Sequence, residues 1–218
     1  MRTIILTLSI SIISLSCGNK TNVSSDEESK QSVSTNEISS SPESSSTIKK
    51  YGIKSGIVTY EIDMMDMTEK MILYFDDYGM KEVEEEYDGE HIKKLTLCDG
   101  KDMYNIIPED KAAYASGSCY RGIAYRFDWN EISEEDQNTR AKKIPNMTVA
   151  GKDCEAFSYD MDATSTIYAG WNYICLYQKT KTQSMEVVKK AIDIKENAEI
   201  PATKFQVPAG FEIKKSGF

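Results

Sequence analysis

The sequence VTYEIDM at residues 58–64 predicts the fold most directly. Apolar side chains, those of Val58, Tyr60, Ile62 and Met64, alternate along it with polar ones. In a β-strand successive side chains point to opposite faces, so this alternation is typical of a strand with one buried face and one face in water. The folded part of the chain is therefore expected to begin with a half-buried strand.

Many short strands at near-regular spacing are predicted downstream. The clearest hairpin has Asp99-Gly100 at its turn, because this dipeptide accepts the positive φ of a tight two-residue loop. One short helix is predicted after Ser133, where Asp136 three residues later completes a capping-box-like start. We predict a mostly β (α+β) fold, a single large curved antiparallel sheet or half-open β-barrel with one or two short helices. The predicted strands after the first are 71–75, 80–87, 92–98, 101–107, 112–115, 147–150, 153–159, 166–177, 184–194 and a last piece around 205–213.

The first twenty residues predict export. Residues 4–13 form an apolar run after Arg2, and the small-residue sequence at 14–16 ends at Cys17. This is the pattern of a secretory signal, and the cysteine favours a lipoprotein signal over an ordinary signal or an uncleaved anchor. An apolar run of about ten residues is shorter than the roughly 20 that span a membrane. We predict a signal peptide at 1–16 and a lipid anchor at Cys17.

Residues 17–50 are expected to form a lipidated cysteine and disordered tether, followed by the folded domain at 51–218. The tether has no aromatic residue after Gly18 and is rich in Ser and Glu, so it buries too little apolar surface to offset the entropy of ordering. The net charge of −9 argues against nucleic acid as a partner, because phosphates require clustered Lys and Arg. An acidic stretch at 25–28 resembles signals for export to the cell surface. A periplasmic and a cell-surface orientation on the outer membrane therefore both stay open.

The other four cysteines form an even set, which in an exported protein suggests two disulfides. Three connectivities are possible. We favour Cys98–Cys119 and Cys154–Cys175, the second pair across a hairpin whose turn is expected near residues 162–165. A zinc site is a weaker interpretation, because the spacings are wide and exported thiols tend to oxidise.

Four phrases of the sequence carry a family resemblance: IKSGIVTY at 53–60, YFDDYG at 74–79, AGKDC at 150–154, and IP to FQVPAGF at 200–211. In order and spacing they resemble uncharacterised bacterial lipoproteins thought to share the fold of the lipoprotein-localisation proteins LolA and LolB. The resemblance implies a strongly curved, half-open sheet whose apolar concave side receives lipid acyl chains. It brings no established ligand-binding or catalytic residue. LolA proper is a soluble shuttle, whereas this chain is predicted to be anchored.

Residue patterns for catalysis or metal binding are scarce. His91 is the one histidine, and it is expected to be exposed at a strand end rather than to serve a Ser–His or Cys–His mechanism. Asp63, Asp66 and Glu69 lack the order and glycine of an EF-hand, so a solvated loop is favoured over a calcium site. The glutamates at 82–86 are expected to keep one sheet face in water. We predict no enzyme activity, cofactor or metal, and a hydrolase is the least favoured hypothesis.

Methionine and aromatic side chains around the first strands and at residues 168–177 suggest a ligand site. Methionine adapts its shape and is frequent on promiscuous apolar surfaces, and for any single residue core packing is the commoner role. Together with the resemblance to the LolA and LolB fold, these side chains predict a cavity on the concave face that binds a lipid or lipoprotein acyl chain. The alternative is an envelope interaction module whose core is filled by its own side chains. The predicted lining residues are Tyr60, Met64, Met71, Phe75, Trp171 and Tyr173.

Overall fold

The computed structural model describes residues 49–119 and 126–215, and the predicted signal peptide, Cys17 and most of the predicted tether lie outside them. Within this part, twelve strands form one sheet, accompanied by one α-helix, α1 (Glu134–Thr139), and short 3₁₀ turns. The strands are β1 (Gly56–Met64), β2 (Met67–Asp76), β3 (Lys81–Asp88), β4 (His91–Cys98), β5 (Asp102–Ile107), β6 (Ala112–Ser118), β7 (Ala141–Val149), β8 (Lys152–Met161), β9 (Thr164–Trp171), β10 (Ile174–Lys181), β11 (Glu186–Glu196) and β12 (Glu212–Lys215).

The sheet consists of two antiparallel meanders joined side by side. Strands β1 to β6 are neighbours in chain order, and so are β7 to β11. The meanders meet where β1 pairs with β11, from Gly56 opposite Glu196 to Met64 opposite Val187. Strand β12 then returns to the far edge and pairs with β6 in parallel. The predicted mostly β class and single large sheet are confirmed, with a last strand that is parallel rather than antiparallel.

The strand predicted at 166–177 is two strands in the structure, β9 and β10. Asn172 and Tyr173 form the turn between them, with φ angles of 49° and 63°. Positive φ at both central residues is the geometry of a tight hairpin turn that usually contains glycine, and the lack of glycine hid this turn from the sequence pattern. The hairpin predicted at Asp99-Gly100 is confirmed between β4 and β5.

The second meander curls, so that β7 lies against β11 although β8, β9 and β10 separate them in the sheet. Lys152 on β8 forms an ion pair with Glu196 on β11, and its ammonium lies 4.5 Å from the ring centre of Trp171. The sheet stays open, with β7 and β12 at its edges. The face inside the curl carries the first core, whose buried members are Tyr51, Val58, Tyr60, Met71, Leu73, Phe75, Val149, Cys154, Ala156, Ala169, Ile174, Leu176 and Ala191.

A second core lies on the opposite face of the first meander. Along β2, Leu73 and Phe75 belong to the first core and Tyr74 between them packs against the second, as the alternation of side chains requires. Residues 198–211, here called the C-terminal segment, cover this second core. Only a 3₁₀ turn (Ala202–Phe205) is regular in the segment, so most of the strand predicted at 205–213 is irregular. The buried members are Val83, Leu97, Ile106 and Ala113 from the sheet and Phe205 from the segment.

Helix α1 begins where the sequence predicts. The Oγ of Ser133 accepts a hydrogen bond from the Asp136 backbone N–H at 3.1 Å, which satisfies one of the free N–H groups of a helix start. Just before the helix, Phe127 stacks on Phe157 and lies so close to Gly170 that a Cβ there would be 2.3 Å from the Phe127 ring. In the described part of the chain, no helix has the length and apolar character needed to cross a bilayer.

A buried ion pair joins the beginning of the domain to β3. Glu82 is fully buried on the first-core side, and the Lys50 ammonium donates to both of its carboxylate oxygens at 2.9 Å. Burial lowers the pKa of Lys50, and the charge of Glu82 opposes that shift. Tyr51 packs edge-on against Phe75, with ring centres 4.8 Å apart. Lys50, placed in the tether by the sequence prediction, is therefore part of the packed structure.

We expect Lys50→Met to lower the free energy of unfolding by about 3–5 kcal/mol, because it removes the cation from a buried carboxylate. The double variant Lys50→Met/Glu82→Leu should recover most of that loss, since an apolar pair replaces the ion pair. Lys93→Met, which breaks a partly exposed pair with Glu69, should cost less than about 1 kcal/mol. Urea denaturation measures all three. Equal losses for Lys50→Met and Lys93→Met would contradict the buried pair.

Candidate functional site

A cleft of about 570 Å³ lies between the first meander and the C-terminal segment. Strands β3, β4 and β5 form one wall through Val83, Leu95, Leu97 and Ile106, and Phe211 of the segment contributes to the other. These side chains are apolar because they belong to, or pack against, the second core. The remaining lining residues are Glu85, Glu90, His91, Ile92, Pro108, Thr203, Lys204, Gln206 and Pro208.

A second cleft of about 410 Å³ adjoins the first. Thr203 and Lys204 line both clefts, so the 3₁₀ turn of the C-terminal segment stands at their shared border. The other lining residues of the second cleft are Ile57, Tyr74, Glu199, Ile200 and Pro201.

The C-terminal segment is fixed over the clefts by a charged contact between Lys204 and Glu85. Glu85 is only 2% exposed, and its carboxylate accepts from the Lys204 ammonium at 2.5 Å and from the Tyr87 hydroxyl at 2.8 Å. The ammonium also lies 4.0 Å from the ring centre of Tyr74. Burial, together with the charge of Glu85, raises the pKa of Tyr74 to about 12 and raises that of Tyr87 further. Both hydroxyls therefore stay protonated at neutral pH.

The glutamates of β3 do not solvate one face, as the sequence suggested, because β3 is an interior strand. They alternate, with Glu82 buried on the first-core side and Glu85 buried at the clefts. Glu84 lies on the side of Glu82, and its carboxylate is 4.0 Å from the Lys189 ammonium. Burial raises the pKa of Glu84, while Lys189 opposes that shift. Each face of β3 thus carries carboxylates that lysines from other elements neutralise.

The six predicted cavity-lining residues line neither of these two clefts. Tyr60, Met71 and Phe75 are buried in the first core, packed by the protein's own side chains. Met64 and Trp171 are half-buried, and Tyr173 is 41% exposed under the Arg126 guanidinium. A ligand would have to displace core side chains to reach the first three.

The cysteine prediction holds for one pair. Cys98 and Cys119 form a disulfide with their Cα atoms 5.4 Å apart. Cys154 and Cys175 are free thiols, because β9 lies between β8 and β10, which carry them. Two strand spacings amount to about 9.5 Å, beyond the Cα separation of up to about 6.8 Å that a disulfide spans. The predicted Cys154–Cys175 pair is corrected accordingly, and the missed turn at Asn172 is its cause.

His91 and two of the acidic residues considered for a calcium site make different contacts in the structure. His91 is exposed at the start of β4 and lies at the first cleft. Asp63 accepts a hydrogen bond from the Thr68 hydroxyl at 2.7 Å, and Glu69 pairs with Lys93. Among the described residues, no group of three or more His, Cys, Asp or Glu is placed to hold a metal ion.

Sequence reasoning missed the clefts, although one signal was present. Ile200, Phe205, Val207 and Phe211 form an apolar set in a stretch that Pro201 and Pro208 interrupt. Proline lacks the N–H that a sheet interior needs, so this stretch was a poor strand and a good candidate for a covering segment. Its partner surface, the far face of β3 to β5, follows only from the strand order.

Comparison with known proteins bears on the fold alone. No family model and no curated protein matches the sequence. An uncharacterized conserved protein from Thermus thermophilus superposes with a TM-score of 0.53 at 7% identity, over 75% of this chain and 91% of that one. MucB, also solved in complex with MucA(peri), reaches 0.48 at 8% identity, over 73% of this chain and 59% of MucB. A DUF1329 family protein from Desulfovibrio piger reaches 0.35 at 10% identity, over 71% of this chain and 90% of that one.

Thiol labelling checks the corrected cysteine assignment. We expect iodoacetamide to label two cysteines, Cys154 and Cys175, in urea without reductant, and four after reduction, in the mature chain carrying Cys17→Ser. In the native protein at pH 8 labelling should be slow, because burial raises the pKa of Cys175 to about 11 and that of Cys154 above its usual range, and the thiolate is the reactive form. Mass spectrometry counts the labels. If iodoacetamide labels no cysteine in urea without reductant, a second disulfide is present and the free-thiol assignment is wrong.

Proposed function

We propose that this chain is a membrane-anchored envelope lipoprotein that binds an apolar ligand, the acyl chain of a lipid or of a lipoprotein, in the clefts beneath its C-terminal segment. The observation that carries the proposal is the first cleft. Its volume of about 570 Å³ falls within the roughly 300–1,000 Å³ of small-molecule sites, and such sites are lined mainly by apolar side chains with a few polar groups.

Partly buried apolar side chains at the first cleft support this location. Leu95 and Phe211 pack against the second core, stay only partly buried and line the cleft. Apolar surface left in a concavity is where a ligand gains most from burial, at roughly 25 cal/mol per Å². The proposal therefore moves the predicted ligand from the face inside the curl to the opposite face of the sheet.

The proposed role is non-enzymatic. The buried carboxylate at the cleft, Glu85, is held by Lys204 and Tyr87, an arrangement that suits anchoring of the C-terminal segment rather than proton transfer. A general base has to reach the proton it removes from a substrate, whereas the hydrogen-bond partners of Glu85 are Lys204 and Tyr87 of the protein itself.

The anchor at Cys17 belongs to the same proposal. An acyl-binding domain on a tether of about 30 residues would work within an r.m.s. reach of roughly 30 Å from its membrane. We expect the mature chain carrying Cys17→Ser, exported behind a cleavable signal peptide, to move from the membrane fraction to the aqueous fraction of fractionated cells, because the proposed acyl chains are then missing. A variant at Ser16, such as Ser16→Ala, keeps a small residue before the cysteine and should stay in the membrane. Membrane retention of the Cys17→Ser protein would contradict lipid anchoring.

A second candidate function is a protein-interaction module without a small ligand. It is favoured by the turn between β1 and β2, where Met65 is 72% exposed and Met67 54% exposed. Exposed methionines are typical of adaptable contact surfaces. The two candidates differ in whether the clefts hold a ligand.

Organic extraction of the mature chain carrying Cys17→Ser, exported behind a cleavable signal peptide, tests the first candidate. We expect a lipid to be recovered near one per chain by mass spectrometry. Ile92→Trp should reduce that occupancy, because Ile92 lines the first cleft on β4 and the larger indole would obstruct part of it. Ile192→Trp is the matched control, since Ile192 is 47% exposed on β11. Protein that carries no lipid and takes up no added acyl compound would favour the interaction module.

A further inference from the structure

The charges around the two clefts are unequal. Glu85 and Glu90 line the first cleft, and Glu199 lines the second. Lys204 lines both, and it is the one lysine or arginine among the lining residues in the part of the chain that the structure describes. With His91 counted as neutral, the lining residues carry three negative charges and one positive charge.

The positive charge of Lys204 is already engaged. Its ammonium is 2.5 Å from Glu85 and stacks on the face of Tyr74. The Glu85 carboxylate is 2% exposed, and a buried carboxylate without its cation is strongly unfavourable. The charge of Lys204 is therefore balanced by that of Glu85, and the lining residues carry no positive charge in excess of this pair.

The two remaining carboxylates are available. Glu90 and Glu199 are both exposed, one at each cleft. Their negative potential adds to that of a chain with a net charge of −9, and a concave low-dielectric wall focuses such a field. An entering cation is attracted at both clefts, and an entering anion is repelled.

We propose that the clefts select their ligand by headgroup charge, taking an amphiphile with a cationic or uncharged head and rejecting acyl carboxylates such as free fatty acids. This inference rests on the proposed function, because it specifies the ligand of the same clefts. An acyl chain joined through an ester or amide has no carboxylate at its end and satisfies the requirement. The free acid of the same chain does not.

A set of three dodecyl compounds tests the selection. Dodecyltrimethylammonium, the neutral monododecanoyl glycerol and dodecanoate are titrated into the mature chain carrying Cys17→Ser by calorimetry, below their micelle concentrations, at pH 8. We expect the cation to bind about tenfold more tightly than the anion at low ionic strength, with the neutral compound between them, and the gap to narrow at high salt as exposed charges are screened.

Two double variants that remove the same charge show whether the carboxylates at the clefts cause this difference in affinity. Glu90→Gln/Glu199→Gln should reduce the ratio of the dodecanoate dissociation constant to the dodecyltrimethylammonium dissociation constant at least threefold. Glu134→Gln/Glu135→Gln removes the same charge from exposed residues of α1, which line neither cleft, and should leave the gap unchanged.

Each outcome separates the two proposals. Dodecanoate binding as tightly as the cation, or a gap that responds equally to both double variants, would overturn the charge selection and leave the acyl-binding function in place. Failure of all three compounds to bind would overturn the acyl-binding function, and the charge selection with it.

Discussion

A carboxylate taken out of water must be paired with a cation, and this constraint shapes the whole domain through β3. Glu82 and Glu85 are both buried on this interior strand, and they face opposite sides of the sheet. Lys50, from the beginning of the described chain, pairs with the first, and Lys204, from the C-terminal segment, pairs with the second. The two ends of the domain are thereby held on one central strand. Removing either cation would leave a desolvated charge, which costs far more than a surface pair contributes.

The two faces of β3 then acquire different roles. On the first-core side, Lys50 precedes Tyr51, which contacts Phe75, and the buried side chains of this face form the first core. On the other side, Lys204 holds an irregular segment that proline keeps from joining the sheet as a strand. The 3₁₀ turn of this segment contacts the sheet through Phe205 and Lys204, and the two clefts lie beside it. The clefts thus lie under the irregular C-terminal segment rather than inside the curl of the sheet.

Local features of the structure could be predicted from the sequence, and long-range features could not. The alternation at 58–64, the turn at Asp99-Gly100 and the helix start at Ser133 each depend on a few adjacent residues, and each is found where the sequence places it. The turn at Asn172 was missed because two residues other than glycine, Asn172 and Tyr173, adopt positive φ there. The wrong pairing of Cys154 with Cys175 followed from that error. The pairing of β1 with β11 and the position of the clefts depend on contacts between distant residues. Alternation identifies that Tyr60 and Met71 share a face with Phe75, but not whether that face is filled or open.

The junction of the two meanders has a consequence for how the protein forms. Each meander can assemble from hairpins between neighbouring segments, whereas β1 must find a partner near residue 196. Contacts of such long sequence separation form late, because chain entropy is lost before they stabilise the fold. Until β11 has emerged and docked, the open edge of β1 can pair with other chains. The middle of the finished sheet, where β1 meets β11, is therefore expected to be the last part to close.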